Sequence, residues 1–307
     1  MSNQTLDNSR INKHLGQVSS YKDQYDPTLL VNEPRSNNRE HLNIEDDNLP
    51  FIGYDTWNAY EVSGLTNKGL PVAGVAKIVY PCDSEYIVES KSIKLYFNSY
   101  NMFRCGDTPQ QVMNNIQNQS AIDLSELLQT EVKVHILPAS VRNTGEPVMG
   151  INTYKTLEDA FTQEQLGEML VDVYQETPDV LSVIRHEDDQ VSRYHSSLLK
   201  SNCRVTSQPD WGDVYIMYRG MRDVTPESML KYIVSFRDEC HFHEEICETI
   251  YKRLCDVLNP TELVVTCLYA RRGGIDINPV RASSLKSLKE CGDLINPHVL
   301  HVKTAKQ

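Results

Sequence analysis

The chain lacks several features that would settle its class at once. No apolar run is long enough to cross a bilayer as a helix: stretches such as Leu263 to Ala270 fall far short of the roughly 20 residues a span needs. Met1 to Gln17 has no apolar core of the kind a secretory signal carries. Positive charge is scarce, with 30 Lys and Arg against 42 Asp and Glu and a formal net charge of -12. Such a field repels phosphate and argues against general binding to nucleic acid or anionic membranes, though it leaves room for a local basic pocket. Neither G-x-G-x-x-G nor G-x-x-x-x-G-K-[ST] occurs, so any nucleotide must be held without a Rossmann turn or a P-loop. The eight cysteines form no C-x-x-C pair and no dense framework, which in a chain of 307 residues without a secretion signal implies free thiols in the cytoplasm.

With 40% hydrophobic and 23% charged residues, the chain has the composition of a soluble globular protein with a sizeable core. Residues 1 to 50 are polar and read as an extension, partly ordered at best. Aromatic and apolar residues gather from Leu49 to Tyr54, where the first folded unit is expected to begin. Val72 to Tyr80 and Glu131 to Leu137 have the branched or alternating pattern of strands. A helix is expected to start within Tyr86 to Asn101. Another opens at Thr108-Pro109 and runs to about Asn118, with a further turn or two from Ala121 to Thr130. Thr156 to Tyr174 reads as helical, and Val180 to Arg185 and Val191 to Leu199 as strands around an acidic turn, Glu187-Asp188-Asp189. Asp213 to Arg219 and Glu262 to Ala270 read as strands. Between them, helical sequence from Pro226 leads into a helix over Glu239 to Leu258 with one buried stripe, stopped by Asn259-Pro260. The strand–helix–strand order occurs twice, which suggests an α+β unit with a mostly antiparallel sheet used twice.

Three stretches could carry chemistry. In Ser201 to Gly212, Cys203 and Asp210 offer a nucleophile and a proton carrier, with Pro209 and Gly212 to shape the loop. Spacing alone gives them little weight. Cys240-His241-Phe242-His243-Glu244, with Cys247 and Cys255 beyond, invites a zinc reading, but the later cysteines fall near the apolar stripe and the two histidines point different ways. The alternatives are a pocket-facing His243 and Glu244, or a plain capping pair. Arg271-Arg272-Gly273-Gly274 would suit a phosphate, with Lys91 and Lys94 adding charge if the fold brings them near; otherwise it is a surface turn.

Four segments occur in a telling order: Glu89-Ser90-Lys91-Ser92-Ile93-Lys94-Leu95-Tyr96, Lys200 to Gly212, Phe242-His243-Glu244, and Tyr269 to Pro279. Together they resemble the QueF-type NADPH-dependent 7-cyano-7-deazaguanine reductases of queuosine biosynthesis, a tRNA-modification pathway, in the long form with tandem tunnelling-fold (T-fold) units. The resemblance covers roughly residues 15 to 305. It implies two T-fold units, at 51–185 and 186–307, whose antiparallel sheets carry helices on one face. It implies that Cys203 attacks the nitrile carbon to form a thioimide and that Asp210 supplies the proton. His243 moves protons and orients substrate, and two NADPH give two hydrides. Val88, Glu89, Ser90, His243 and Glu244 would bind substrate, Glu244 pairing with its guanine-like edge. Ser90, Lys91, Arg272 and Gly273 would bind NADPH. Lys200 and Arg204 would favour the thiolate. No metal and no nucleic-acid partner are implied, and a homodimer is expected.

The sequence also departs from that family. Proline or an apolar residue usually follows the nucleophile, and here it is Arg204. A histidine, one residue and a glutamate commonly precede Phe-His-Glu, and here those positions are Glu239 and His241. The rival readings are a zinc-dependent T-fold hydrolase of a purine or pterin and a non-catalytic ligand-binding relative.

Overall fold

A computed structural model describes residues 24–140, 153–204 and 206–307. In chain order, the first half holds β1 (Asn32–Pro34), α1 (Ser36–Arg39), β2 (Ile52–Leu65), β3 (Pro71–Pro81), β4 (Tyr86–Val88), α2 (Ser90–Asn98), α3 (Pro109–Leu128) and β5 (Lys133–Pro138). The second holds β6 (Lys155–Thr156), α4 (Gln163–Glu168), β7 (Val183–Ser196), β8 (Lys200–Asn202), β9 (Pro209–Val224), α5 (Pro226–Ser235), α6 (His243–Leu258), β10 (Glu262–Tyr269), β11 (Ile275–Ala282), α7 (Leu285–Leu288) and α8 (Gly292–Ile295). Among the described residues a nine-stranded sheet runs β5-β3-β2-β11-β10-β9-β7-β6, with β8 paired to β9, β1 and β4 form a separate antiparallel pair, and only the β6–β7 strand pair is parallel. The α+β class with an antiparallel sheet is therefore observed.

Local chemistry explains the long helices. In α6, Ile246, Ile250, Leu254 and Leu258 recur every four residues and are fully buried. Each contributes about 1.5–3 kcal/mol relative to an exposed position. Asn259 takes the left-handed conformation and ends the helix ahead of Pro260. In α3, the Thr108 side chain caps the Gln111 amide and Pro109 occupies the first turn. The apolar row Val112, Ile116, Leu124 and Leu128 runs through both expected pieces, so α3 is one helix of 20 residues.

On one face of the sheet α2 and α3 cover the β2–β3–β5 side, and α5 and α6 cover β9 and β10. The opposite face buries Tyr215, Met217, Val264, Leu268, Val280 and Ala282 against Leu288, Cys291 and Leu294 of the α7–α8 segment. The long helices α2, α3, α5 and α6 thus share one face as expected, and the four-residue helices α7 and α8 cover part of the other.

Other expectations change too. Val183 to Ser196 is one strand with a register shift between Arg185 and Gln190, so the acidic run Glu187-Asp188-Asp189 makes a bulge within it. A domain boundary at 185/186 falls inside that strand. Only Gln163–Glu168 of the expected Thr156 to Tyr174 region is α-helical. The helix expected from Glu239 begins at His243.

The polar extension lies outside the described residues over 1–23, but residues 24–50 are built into the fold. Arg35 and Arg39 are 3% and 1% exposed. Arg35 pairs with Asp55, Arg39 with Glu248 at 2.9 Å, and Arg281 of β11 with both carboxylates, at 2.8 and 2.9 Å. Buried charges persist only when paired this way, so the N-terminal segment is fixed to β2 and to α6.

One feature positions the site. β11 pairs with β2 along its whole length but with β10 only from Val264↔Ala282 to Thr266↔Val280. Pro279, which has no N–H to give, stands where the β10–β11 ladder stops. Beyond it the two strands splay apart toward their connecting turn.

Candidate active site

That splay opens a cavity of about 270 Å³. Trp57, Ile275 and Ile277 form an apolar wall on β2 and β11. Ser90, Lys91 and Lys94 enter from the start of α2, and His243 and Glu244 from the first turn of α6. Cys203, Gln208 and Asp210 come from the β8–β9 hairpin, and Ala270, Arg272 and Gly273 from the β10–β11 turn. Two helix N-termini thus open on one cavity, an electropositive setting within a chain of net charge -12.

The hairpin fixes Cys203. Its N–H donates to Gln208 O and its carbonyl accepts from Ser207 N, both at 2.8 Å, and Ser207 adopts φ +53 to close the turn. Asp210 pairs with Ser201 across β8–β9 and is 3% exposed. Its Oδ2 lies 3.5 Å from His243 Nε2, and Arg272 donates to its Oδ1. Burial alone would raise the Asp210 pKa. The His243 contact and the Arg272 guanidinium outweigh it and hold the group below the usual carboxylate value. Asp210 is therefore an ionised carboxylate in this geometry. His243 packs on Tyr269, ring centroids 3.8 Å apart, which fixes its imidazole toward Asp210.

Glu244 is the cavity's unusual carboxylate. It is 2% exposed, and its Oε1 has no hydrogen-bond partner. Burial, then the nearby Asp55 charge, push its pKa up to about 8. An unpartnered acceptor buried beside a cavity awaits a donor from a ligand.

The fold brings together Cys203, Asp210, His243, Glu244, Ser90, Lys91, Arg272 and Gly273. It does not bring Val88 or Glu89 to the cavity wall. Val88 is 1% exposed in the N-terminal core and pairs with Asn32. Glu89 caps α2 by accepting the Ser92 amide at 2.7 Å. The cations expected beside the thiol are committed elsewhere: Lys200 to Asn202 and the Arg237 carbonyl, Arg204 to Glu245 at 2.8 Å. Trp57, Gln208, Ile275 and Ile277 line the cavity without having been expected there, and His241, expected only as a zinc candidate, joins them. The apolar alternation Ile275-Ile277 just after the Arg-Gly-Gly turn was the one signal that could have pointed to this wall.

Among the described residues no group of three or more His, Cys, Asp or Glu is placed to hold a metal ion, so the zinc reading of Cys240 to Cys255 finds no ligand set. No helix there is long and apolar enough to cross a membrane.

The family model described as nitrile reductase, 7-cyano-7-deazaguanine-reductase N-terminal, matches residues 21–136. The model described as QueF-like protein matches residues 209–287. The chain is 41% identical over 274 residues to the NADPH-dependent 7-cyano-7-deazaguanine reductase of Rickettsia bellii, covering 89% of this chain and 93% of that one. It is 40% identical to the protein of that name from Legionella pneumophila, covering 88% and 89%. To the one from Acidovorax ebreus it is 37% identical, covering 98% and 100%.

The chain belongs to the 7-cyano-7-deazaguanine reductase family. The name of those relatives states a cofactor, and the cavity of this family member can be tested for it. Gly273 and Gly274 have φ +55 and +77, left-handed values that glycine takes without strain. A Cβ on Gly273 would come within 3.2 Å of the Lys94 side chain, and one on Gly274 within 2.5 Å of Glu61. The turn thus keeps its backbone bare beside Arg272, Lys91 and Lys94. Bare backbone with cations suits a phosphorylated dinucleotide, so these residues fit NADPH.

Proposed function

We propose that this chain reduces 7-cyano-7-deazaguanine to 7-aminomethyl-7-deazaguanine with two NADPH, through a covalent thioimide on Cys203. The observation that supports it most is the placement of a half-buried thiol, an ionised Asp210 and an unpartnered buried Glu244 around one cavity.

Each residue has a role in this scheme. Glu244 accepts the N–H donors of the guanine-like edge and fixes the ring. Asp210, held as a carboxylate by His243 and Arg272, takes the proton from the Cys203 thiol. The sulfur then bonds to the nitrile carbon, one carbon–nitrogen π bond breaks, and the same proton passes to nitrogen. Substrate, thiol and proton thus balance without an outside acid. His243, between Asp210 and Tyr269, orients the carboxylate and relays later protons. Ser90, Lys91, Arg272 and Gly273 would hold the cofactor, which when bound would supply one hydride to the thioimide carbon and, once the Cys203 sulfur has left to give the imine, a second to that same carbon. The expected homodimer, the cytoplasmic location and the tandem T-fold units belong to the same reading.

The test is the intact mass of the protein incubated with the nitrile and no reductant. A gain of one ligand mass is expected in the wild type and none in Cys203→Ala. An adduct that persists in the variant overturns the covalent role.

A further inference from the structure

Arg204 stands on the loop after Cys203, and Glu239 and His241 on the approach to α6. The structure joins them in one network. His241 places Nε2 3.0 Å from Glu239 Oε2 and Nδ1 3.2 Å from Glu245 Oε2. A neutral imidazole has one N–H, so a ring that meets a carboxylate at each nitrogen is held as the imidazolium. Glu245 is deeply buried; its Oε2 also accepts the Phe242 amide at 3.0 Å, and its Oε1 accepts Arg204 at 2.8 Å. His241 shares a single charge between two carboxylates, and Arg204 supplies the second, so the network closes near neutrality. The backbone follows the same path: Asn202 N donates to Glu239 O at 2.8 Å and His241 N to Asn202 O at 3.1 Å.

We propose that Arg204, Glu239 and His241 are positioning residues that latch the loop after Cys203 to the first turn of α6, so that the thiol keeps a fixed geometry toward His243 and Glu244. The side chains at 239 and 241 touch each other, and the histidine at 241 also stands beside Glu245, whose other oxygen meets Arg204. The proposal rests on Cys203 as the nucleophile.

The experiment compares wild type with Glu239→His, His241→Glu, the double exchange Glu239→His/His241→Glu, and Arg204→Gln. Arg204 is partly exposed, so its replacement does not threaten folding. Two readouts are taken: the rate of adduct formation with 7-cyano-7-deazaguanine in the absence of NADPH, and hydrogen exchange of the amides from Cys203 to Gln208. Losing a charge-assisted bond in this setting slows adduct formation about tenfold or more and speeds exchange in the loop, for each single variant. The double exchange restores the 239–241 pair but sets a carboxylate at 241 beside Glu245, so it recovers part of the loss of His241→Glu in both readouts and stays below wild type. Single variants that match wild type in both readouts overturn the latch, as does a double exchange no better than the worse single. If the wild type itself forms no adduct, the nucleophile reading fails. The exchange rates then judge the latch alone, by the same pattern of loss and recovery.

Discussion

Ligand binding to this cavity should release a proton, and the source is Glu244. Burial and the Asp55 charge raise its pKa to about 8, so at pH 7 the group is mostly protonated. A guanine-like edge offers N–H donors and needs the carboxylate, so binding pulls the pKa down and expels the proton. The sign follows: affinity rises with pH up to about 8 and levels off above it. With that pKa, the ionised fraction is about 1% at pH 6 and half at pH 8, so Kd should tighten roughly 50-fold over that interval. Titration calorimetry on Cys203→Ala, which can bind but not react, measures both Kd and the proton count through buffers of different ionisation enthalpy. Glu244→Gln should weaken binding by about 10- to 200-fold, because an amide places an N–H against the ligand's donors. It should also flatten the pH dependence. A Kd that does not change between pH 6 and 8 with no proton released, or a Glu244→Gln variant that binds as well as its parent, would refute the reasoning.

Further outcomes follow from the other groups. Arg272→Gln removes one of the contacts that hold Asp210 below its usual pKa, so the acid limb of adduct formation should move to higher pH, while KM for NADPH rises; a limb that stays in place contradicts the assignment of Asp210 as base. Glu248 is held down to about 2 against its burial by Arg281, Arg39 and Arg35. Its stabilisation should therefore be complete above the unfolded-state pKa and fade as pH falls toward 2, which acid unfolding of Glu248→Gln beside wild type checks. Arg281→Met leaves Asp55 and Glu248 short of a buried partner and should cost about 3–5 kcal/mol in denaturant unfolding. Chelator treatment should leave NADPH oxidation unchanged; loss of activity together with stoichiometric zinc would favour the hydrolase reading.

Much of the frame was legible in the sequence because it is written locally. β3, β5 and β10 show branched or alternating residues, α6 shows a stripe at helical spacing, and Gly273-Gly274 marks its own turn. What stayed hidden depends on distant partners. β2 carries Asp55, Asn58 and Glu61, a poor local pattern for a buried strand; Glu61 stays exposed, while Asp55 and Asn58 are buried where Arg281 and Asp276 of β11 meet them from more than 200 positions away. β11 holds Pro279 and Arg281 and reads as a loop until its neighbours are known. Arg35 and Arg39 look like surface residues, yet a carboxylate 209 positions from Arg39 draws it into the core. The site divided in the same way: the order of its motifs pointed to the loop, the helix start and the turn. Geometry was needed to show that Glu89 caps a helix, that Arg204 faces Glu245, and that the cavity exists because β10 and β11 part at Pro279.

The most direct measurement is NADPH oxidation on addition of 7-cyano-7-deazaguanine, with the product amine quantified alongside. The account predicts consumption that depends on the nitrile, with about two NADPH per amine as a four-electron reduction requires, and none in Cys203→Ala. No consumption with the nitrile, or the same rate in Cys203→Ala, would contradict it.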